Sequence, residues 1–302
     1  MLSILIPIYN YKVVKLVDVL QKQCEKAKIA FEILAFDDQS KVEFKNANGI
    51  LRGYFGVNYT ELSRNLGRAK IRNWLAKSAR YEHLLFLDCD SKIRDKNFIK
   101  TYAALIDKYD VVSGGRGYSP KPPRAYTKKL HWLYGTKKET QNAAIRNKYP
   151  IKYFHSNNFL VKRNVILDVP FLEEVKGYGY EDLHLAKAII KKGYKLQHVD
   201  NQIEHLGLEK NKVFLEKTRN AINNLLVLKY TGQEIPTNLE NLAVKLQDWG
   251  FHQEFIKFYQ KRSQIIEKNL LSKEPRLLNL DFYKLNYYFE RRNLWIDGKI
   301  DL

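Results

Sequence analysis

The chain has 302 residues, 45% of them hydrophobic and 28% charged. That suits either one large α/β domain or a domain with an appendage, and no apolar run reaches the roughly 18–20 residues of a membrane span. Lys and Arg number 52 against 33 Asp and Glu, a formal charge of +19 that disfavours cationic partners and favours nucleotides, nucleic acid or an anionic membrane surface. A solvated, lysine-rich surface is the plain alternative. Cys24 and Cys89 are the only cysteines, too few for a disulfide framework and in keeping with a reduced compartment. Residues 2–8 are too short for a secretory h-region. The composition therefore reads as a cytoplasmic protein, able to make peripheral contact with the anionic inner face of a membrane.

Leu2–Ile8 is a short apolar run, a buried strand that leads into Tyr9-Asn10-Tyr11. Val13, Leu16, Val17, Leu20 and Cys24 then share one face of a helix over about 12–28. Phe31–Phe36 is a second strand, ending in Asp37-Asp38, so the first two strands are parallel neighbours of a βαβ unit. A weaker helix and a short strand near Val57–Tyr59 follow. Asn65-Leu66-Gly67 opens a helix to about Ala79, with Ala69, Trp74 and Leu75 as buried positions. Cations at 64, 68, 70 and 72 crowd its start. Arginines at a helix N-terminus suit a phosphate; a solvated basic face is the alternative.

Leu84–Leu87 is another apolar run and ends in Asp88-Cys89-Asp90. Open parallel sheets gather ligands at the carboxyl ends of their strands. Two carboxylates there, with no Lys or Arg until Lys92, fit a divalent metal carrying a phosphate. A polar turn capping the next helix is the plainer reading. A helix near 95–107 and a strand at 110–115 complete an alternation that predicts a doubly wound sheet. No Gly-x-Gly-x-x-Gly follows the first strand and no Walker motif occurs, which argues against a dinucleotide site or a P-loop.

Residues 116–154, with Pro120, Pro122 and Pro123 and several lysines, read as a long excursion over the sheet rather than core, a substrate-facing lid. Phe154–Val161 returns to strand. Gly177-Tyr178-Gly179-Tyr180 precedes Glu181-Asp182 at the start of a helix bearing Leu183, Ala186, Ile189 and Ile190. Acids in a first helical turn are also expected from the dipole alone. Gln202–Leu206 is a strand, and His205 is a metal ligand only if that strand returns to Asp90. Beyond 208 the periodicity is helical, with Phe214, Ile222, Leu225 and Leu228 on one face and Leu239, Leu242, Ala243, Leu246 and Trp249 on the next.

Six motifs now stand in order: Ile6-Pro7-Ile8-Tyr9-Asn10; Asp37-Asp38-Gln39-Ser40; Asn65-Leu66-Gly67 with Ala69 and Arg72-Asn73; Asp88-Cys89-Asp90; Asn157 with Lys162-Arg163; and Glu181-Asp182. The set resembles glycosyltransferase family 2 over residues 1 to about 207. The resemblance implies a GT-A fold, a mostly parallel doubly wound sheet flanked by helices. Residues 1–115 would be its nucleotide-binding half, 116–207 its acceptor and catalytic half, and 208–302 a helical C-terminal extension. It implies Pro7, Tyr9 and Asp38 at the base and ribose, Arg72 near the phosphates, and Asp88 toward ribose or metal. Asp90 would sit on Mn2+ or Mg2+, with His205 as an additional metal ligand. Asp182 would be the catalytic base and Glu181 would orient the acceptor, with Ser156, Asn157 and Gly179 lining the donor and acceptor pocket. In two places the chain departs from the family pattern: Gln39 replaces a glycine, and Ser156-Asn157 follows His155 where the family has Gly-Gly-Asn.

The implied activity is inverting, metal-dependent transfer of a hexose or N-acetylhexosamine from a nucleotide-sugar, with a UDP-sugar favoured. The implied acceptor is a hydroxyl of a glycan or lipid-linked glycan in cell-surface polysaccharide or lipopolysaccharide synthesis, with no nucleic acid partner. A basic nucleic-acid-binding protein and a sugar-nucleotide nucleotidyltransferase remain as alternatives. Against the first, no binding module occurs; against the second, Pro7-Ile8-Tyr9-Asn10 is no Gly-rich loop.

Overall fold

The structure is a computed structural model that describes residues 1–173, 179–233, 235 and 237–296. Gly177 and Tyr178 of the glycine-rich stretch lie outside the described residues. The chain divides into two compact units: residues 1–119, 139–176 and 181–207 form one, and 120–138, 177–180 and 208–302 the other.

The first unit is built on a seven-stranded sheet. Its strands are β1 (Leu2–Ile8), β2 (Phe31–Asp37), β3 (Val57–Glu61), β4 (His83–Leu87), β6 (Val111–Ser113), β8 (Asn158–Lys162) and β9 (Leu196–His198), in the order β3-β2-β1-β4-β8-β6-β9. β1 runs parallel to β2 and β4, β2 to β3, and β6 to β9. β8 alone is antiparallel to both neighbours, β4 and β6. A small second sheet joins β5 (Ser91–Lys92), β10 (Ile203–His205) and β7 (Arg116–Gly117).

Alternation along the strands gives the main sheet two buried faces. Leu5, Leu84, Phe86, Phe159 and Val161 point to one, covered by α3 (Arg68–Ser78), α7 (Arg163–Asp168) and α8 (Glu181–Lys191). Ile4, Ile6, Leu85, Leu87 and Leu160 point to the other, covered by α1 (Val14–Lys26) and α4 (Phe98–Ala103). A short helix α2 (Val42–Asn48) precedes β3. On α3 the buried positions are 69, 71, 72, 73, 75 and 76. Trp74, expected inside, is 44% exposed, because that phase of the helix turns it away from the sheet.

Part of the long excursion is core. α6 (Ala143–Lys148) belongs to the sheet unit and carries Arg146, 1% exposed. Its guanidinium donates to the carbonyls of Ser113, Gly114 and Val199 at 3.2, 3.2 and 2.6 Å. A guanidinium brings five donors, so one side chain ties the end of β6 to the chain after β9, adding to the backbone bonds already there. The lid reading therefore fails for this stretch.

The second unit is helical: α5 (Lys129–Tyr134), α9 (Asn211–Tyr230), α10 (Asn238–Asp248), α11 (His252–Leu270) and α12 (Leu277–Ile296). Leu130, Phe214, Tyr259, Leu270, Leu280 and Tyr283 form one apolar cluster; Ile222, Leu225, Ala243, Leu285 and Phe289 form another. Trp249, read onto a helix face, follows α10 instead and is 64% exposed. Among the described residues no helix is long and apolar enough to cross a membrane.

Candidate active site

The carboxyl end of β4 fixes the centre of the site. The Asp88 amide donates to the Asn157 carbonyl at 3.1 Å, extending the β4–β8 ladder by one step. Residues two apart in a strand share a face, so Asp88 lies with Phe86, and Asn157 with Phe159, on the α3 side. There Arg72 meets Asp88, Nη2 to Oδ1 at 2.5 Å, with the guanidinium over the Phe171 ring at 5.6 Å. Arg72 is only 2% exposed. Expected near the phosphates, it is a buried strut for Asp88.

Asp90 takes a different partner. Opposite Ser91 in the small sheet stands His205, so the strand bearing this histidine does return to Asp90. His205 Nδ1 lies 3.3 Å from Asp90 Oδ1, and Tyr118 holds the imidazole edge-on at 5.5 Å. Asp90 Oδ1 is buried and accepts no hydrogen bond. A Cβ at position 207 would collide with Asp90 Oδ2, so Gly207 is the floor on which the carboxylate rests. Burial works to raise the Asp90 carboxyl, but His205, Arg116 and Arg68 outweigh it and hold it well below the usual carboxylate range. Among the described residues no three His, Cys, Asp or Glu side chains converge as a metal cluster, and Asp88 is engaged by Arg72. An ionised carboxylate with a buried acceptor and a neighbouring imidazole still fit a divalent cation whose other ligands are diphosphate and water.

The second acid pair begins α8. Glu181 is 6% exposed and faces Arg68, Oε1 to Nη1 at 3.6 Å. Burial and the charge of Asp182 push its carboxyl up, against Arg68 and Arg72. Asp182 has Oδ1 on the Leu183 amide at 3.0 Å and Oδ2 3.6 Å from His155 Nδ1. Burial works to raise its carboxyl too, but His155, Arg116 and the Leu183 amide outweigh burial and hold it low. A half-buried carboxylate kept ionised can accept a proton from an approaching hydroxyl.

Adjacent asparagines at the start of β8 behave oppositely. Asn158 donates to Gly115 and Asn201 and accepts from Tyr102, so it is fully used by the fold. Asn157 is 1% exposed, yet neither its Oδ1 nor its Nδ2 has a hydrogen-bond partner. Buried amides are rarely left so. Ser156 beside it is 5% exposed.

On the nucleotide side, Tyr9 is 57% exposed, leaving an aromatic face available for stacking, and Pro7 is partly buried at the end of β1. Asp38 is already engaged: its two oxygens accept from the Leu66 and Gly67 amides at 2.6 and 2.9 Å, just ahead of α3. Gln39 sits at φ +63°, the conformation a glycine would take there without strain, and bridges Ser63 and Asn65 through its amide. Gly179, expected in the sugar pocket, is placed against α9: at φ +108° it lies so close to Ala221 that a Cβ would collide.

Three contributors went unread in the sequence. Arg116 lends charge to both Asp90 and Asp182 from β7, a two-residue strand with no periodicity. His155 and Gly207 gave no signal because their partners lie 27 and 117 residues away in the chain.

The model of glycosyl transferase family 2 matches residues 3–169, more than half of the chain. The chain belongs to glycosyltransferase family 2. No curated protein sequence matches this glycosyltransferase significantly. Among solved structures it resembles the mannosyltransferase PcManGT from Pyrobaculum calidifontis, in complex with GDP-Man and Mn2+, at 16% identity and a TM-score of 0.55. That match covers 78% of this chain and 65% of the other, a little under two thirds of its length. It also resembles S. aureus TarS 1-349 in complex with UDP-GlcNAc, at 19% identity and a TM-score of 0.51, covering 100% and 93%. The fold is that of GT-A glycosyltransferases.

Proposed function

We propose that this glycosyltransferase moves a hexose or N-acetylhexosamine from a nucleotide-sugar to a hydroxyl of a glycan or lipid-linked glycan, with inversion, in cell-surface polysaccharide or lipopolysaccharide synthesis. A UDP-sugar is the favoured donor. The observation that carries the reading is the division of labour between two acid pairs in one unit. Asp90 with His205 suits the leaving diphosphate, and Asp182 with His155 suits the attacking hydroxyl. Asp90 and His205 would hold Mn2+ or Mg2+, which when bound neutralises charge on the departing diphosphate. Tyr9 and Pro7 would meet the base. The unpartnered amide of Asn157 would bond the donor sugar, since a ligand hydroxyl supplies what the fold withholds. Glu181, braced by Arg68, orients the acceptor. Asp182 takes the proton from the acceptor hydroxyl as its oxygen attacks the anomeric carbon. The basic surface, at +19, favours anionic substrates and peripheral contact with an anionic cytoplasmic membrane face.

A thermal-shift panel of UDP-, GDP- and dTDP-sugars with and without Mn2+ tests the reading. Stabilisation should follow RT ln(1 + [L]/Kd), greatest for a UDP-sugar with metal. No shift with any nucleotide-sugar would remove the basis for it.

A further inference from the structure

We propose that His155 is the positioning residue for Asp182, holding its carboxylate aimed and ionised for proton transfer. The inference rests on reading Asp182 as the base. In that reaction the acceptor oxygen forms a bond to the anomeric carbon. The bond from that carbon to the diphosphate oxygen breaks, with its electron pair leaving on the diphosphate. The acceptor proton moves to Asp182. His155 forms and breaks no bond in this step; it stands beside the carboxylate that receives the proton.

Two fixed groups grip the carboxylate. The Leu183 amide donates to Oδ1 at 3.0 Å, and His155 Nδ1 stands 3.6 Å from Oδ2. The second contact is slightly longer than a hydrogen bond, as catalytic contacts are before substrate binds. The far side of the imidazole supports a functional role. His155 Nε2 is buried and has no hydrogen-bond partner. A buried, unsatisfied nitrogen costs stability, so a residue needed for packing alone would be better served by an apolar ring of similar shape.

The surroundings also single out this imidazole. Glu181 and Asp182 come from α8 and Arg116 from β7. The other imidazole nearby, His198 of β9, is pushed down to about 4 by burial and by the charges of Arg146 and His155, against the pull of the Pro150 carbonyl. It is therefore neutral near pH 7, and its Nε2 lies 3.0 Å from that carbonyl. His155 is the imidazole that contacts Asp182 directly, and without it burial and Glu181 would oppose ionisation with less resistance.

The test is carboxyl ¹³C NMR of the full chain with labelled aspartate, with D182N identifying the resonance. In the wild type Asp182 should titrate below 3.8. In His155→Phe its midpoint should rise by about 1 unit or more, and His155→Asn, which retains a donor near the Nδ1 position, should recover part of the difference. Should H155F not fold, H155N alone should still show a raised midpoint. An unchanged midpoint in the folded variants overturns the proposal, whatever the enzyme transfers. With a donor in hand, the acidic limb of kcat should move up with the midpoint while KM stays near wild type. A shifted midpoint with an unmoved limb would show that the contact exists but Asp182 is not the base, and the proposal then falls with that reading.

Discussion

The end of β4 and the start of α8 carry acid pairs built on one plan. In each, one carboxylate is braced by an arginine of α3 and the other stands beside a histidine. Asp88 meets Arg72 and Asp90 meets His205; Glu181 meets Arg68 and Asp182 meets His155. Arg68 and Arg72 are four residues apart, so one face of one helix supports both pairs. The pairs differ in depth. The Arg72 side chain is 3% exposed and that of Arg68 is 43%. The first pair is locked into the sheet, whereas the second has a brace that reaches solvent. In the proposed reaction each arginine-held acid is a frame, and each histidine-held acid is a reagent.

The comparison breaks most sharply at the reagents. Asp182→Asn should lower turnover by about 10²–10⁴-fold, the range for losing a general base, while nucleotide-sugar binding by thermal shift stays near wild type. Asp90→Asn should remove both activity and the Mn2+-dependent part of that shift. If both variants lost metal-dependent binding equally, the two pairs would not divide the work.

The frames should separate by burial. Arg72→Met removes a buried guanidinium and leaves the half-buried Asp88 carboxylate unpaired, and should cost about 2 kcal/mol in urea unfolding. Arg68→Met removes a brace that is largely in solvent, and the buried Glu181 carboxyl, already pushed up, can take a proton instead, so it should cost under about 1 kcal/mol. Equal losses would contradict the difference in depth.

The two members of the α8 pair should respond to acid in opposite senses. The folded pKa of Asp182 is lowered, so its contribution to stability is full above its ordinary value of 3.8 and is lost as pH falls through the folded value. The Glu181 carboxyl is raised above 4.5, so the penalty of its buried charge is relieved as pH falls through its folded value. Urea midpoints between pH 2 and 6 should therefore fall less steeply at the acid end in D182N than in wild type. A steeper acid loss in D182N would reverse the sign. The smallest effect belongs to Gln39→Gly. Relief of the left-handed backbone, about 1 kcal/mol, offsets two exposed hydrogen bonds at about 0.5 kcal/mol each, and the entropy of glycine, about 0.5 kcal/mol, leaves the variant about 0.5 kcal/mol less stable by thermal melt.

Much of this was legible in the residue order. Apolar runs of four to seven residues at 2–8, 31–36 and 84–87 declared the strands, and the intervening 3.6-residue periodicity declared the helices that cover them. The acids at the strand ends marked where a ligand would gather. The antiparallel course of β8 was not legible, because a buried strand has the same apolar pattern in either direction. Nor was the phase of α3, where Arg72 and Asn73 are inside and Trp74 is outside, since an arginine is buried only when a partner waits for it. That partner, Asp88, lies on a different element.

The sequence by itself determined the sheet, its flanking helices and the candidate acids, because periodicity and strand-end chemistry are local properties of the chain. Only the tertiary structure decided which acids meet an arginine and which meet a histidine. His205 reaches Asp90 by the pairing of β10 with β5, and His155 reaches Asp182 from the approach to β8. A carboxylate's charge depends on what stands within a few ångströms of it, and here those neighbours come from strands and helices far apart in the chain.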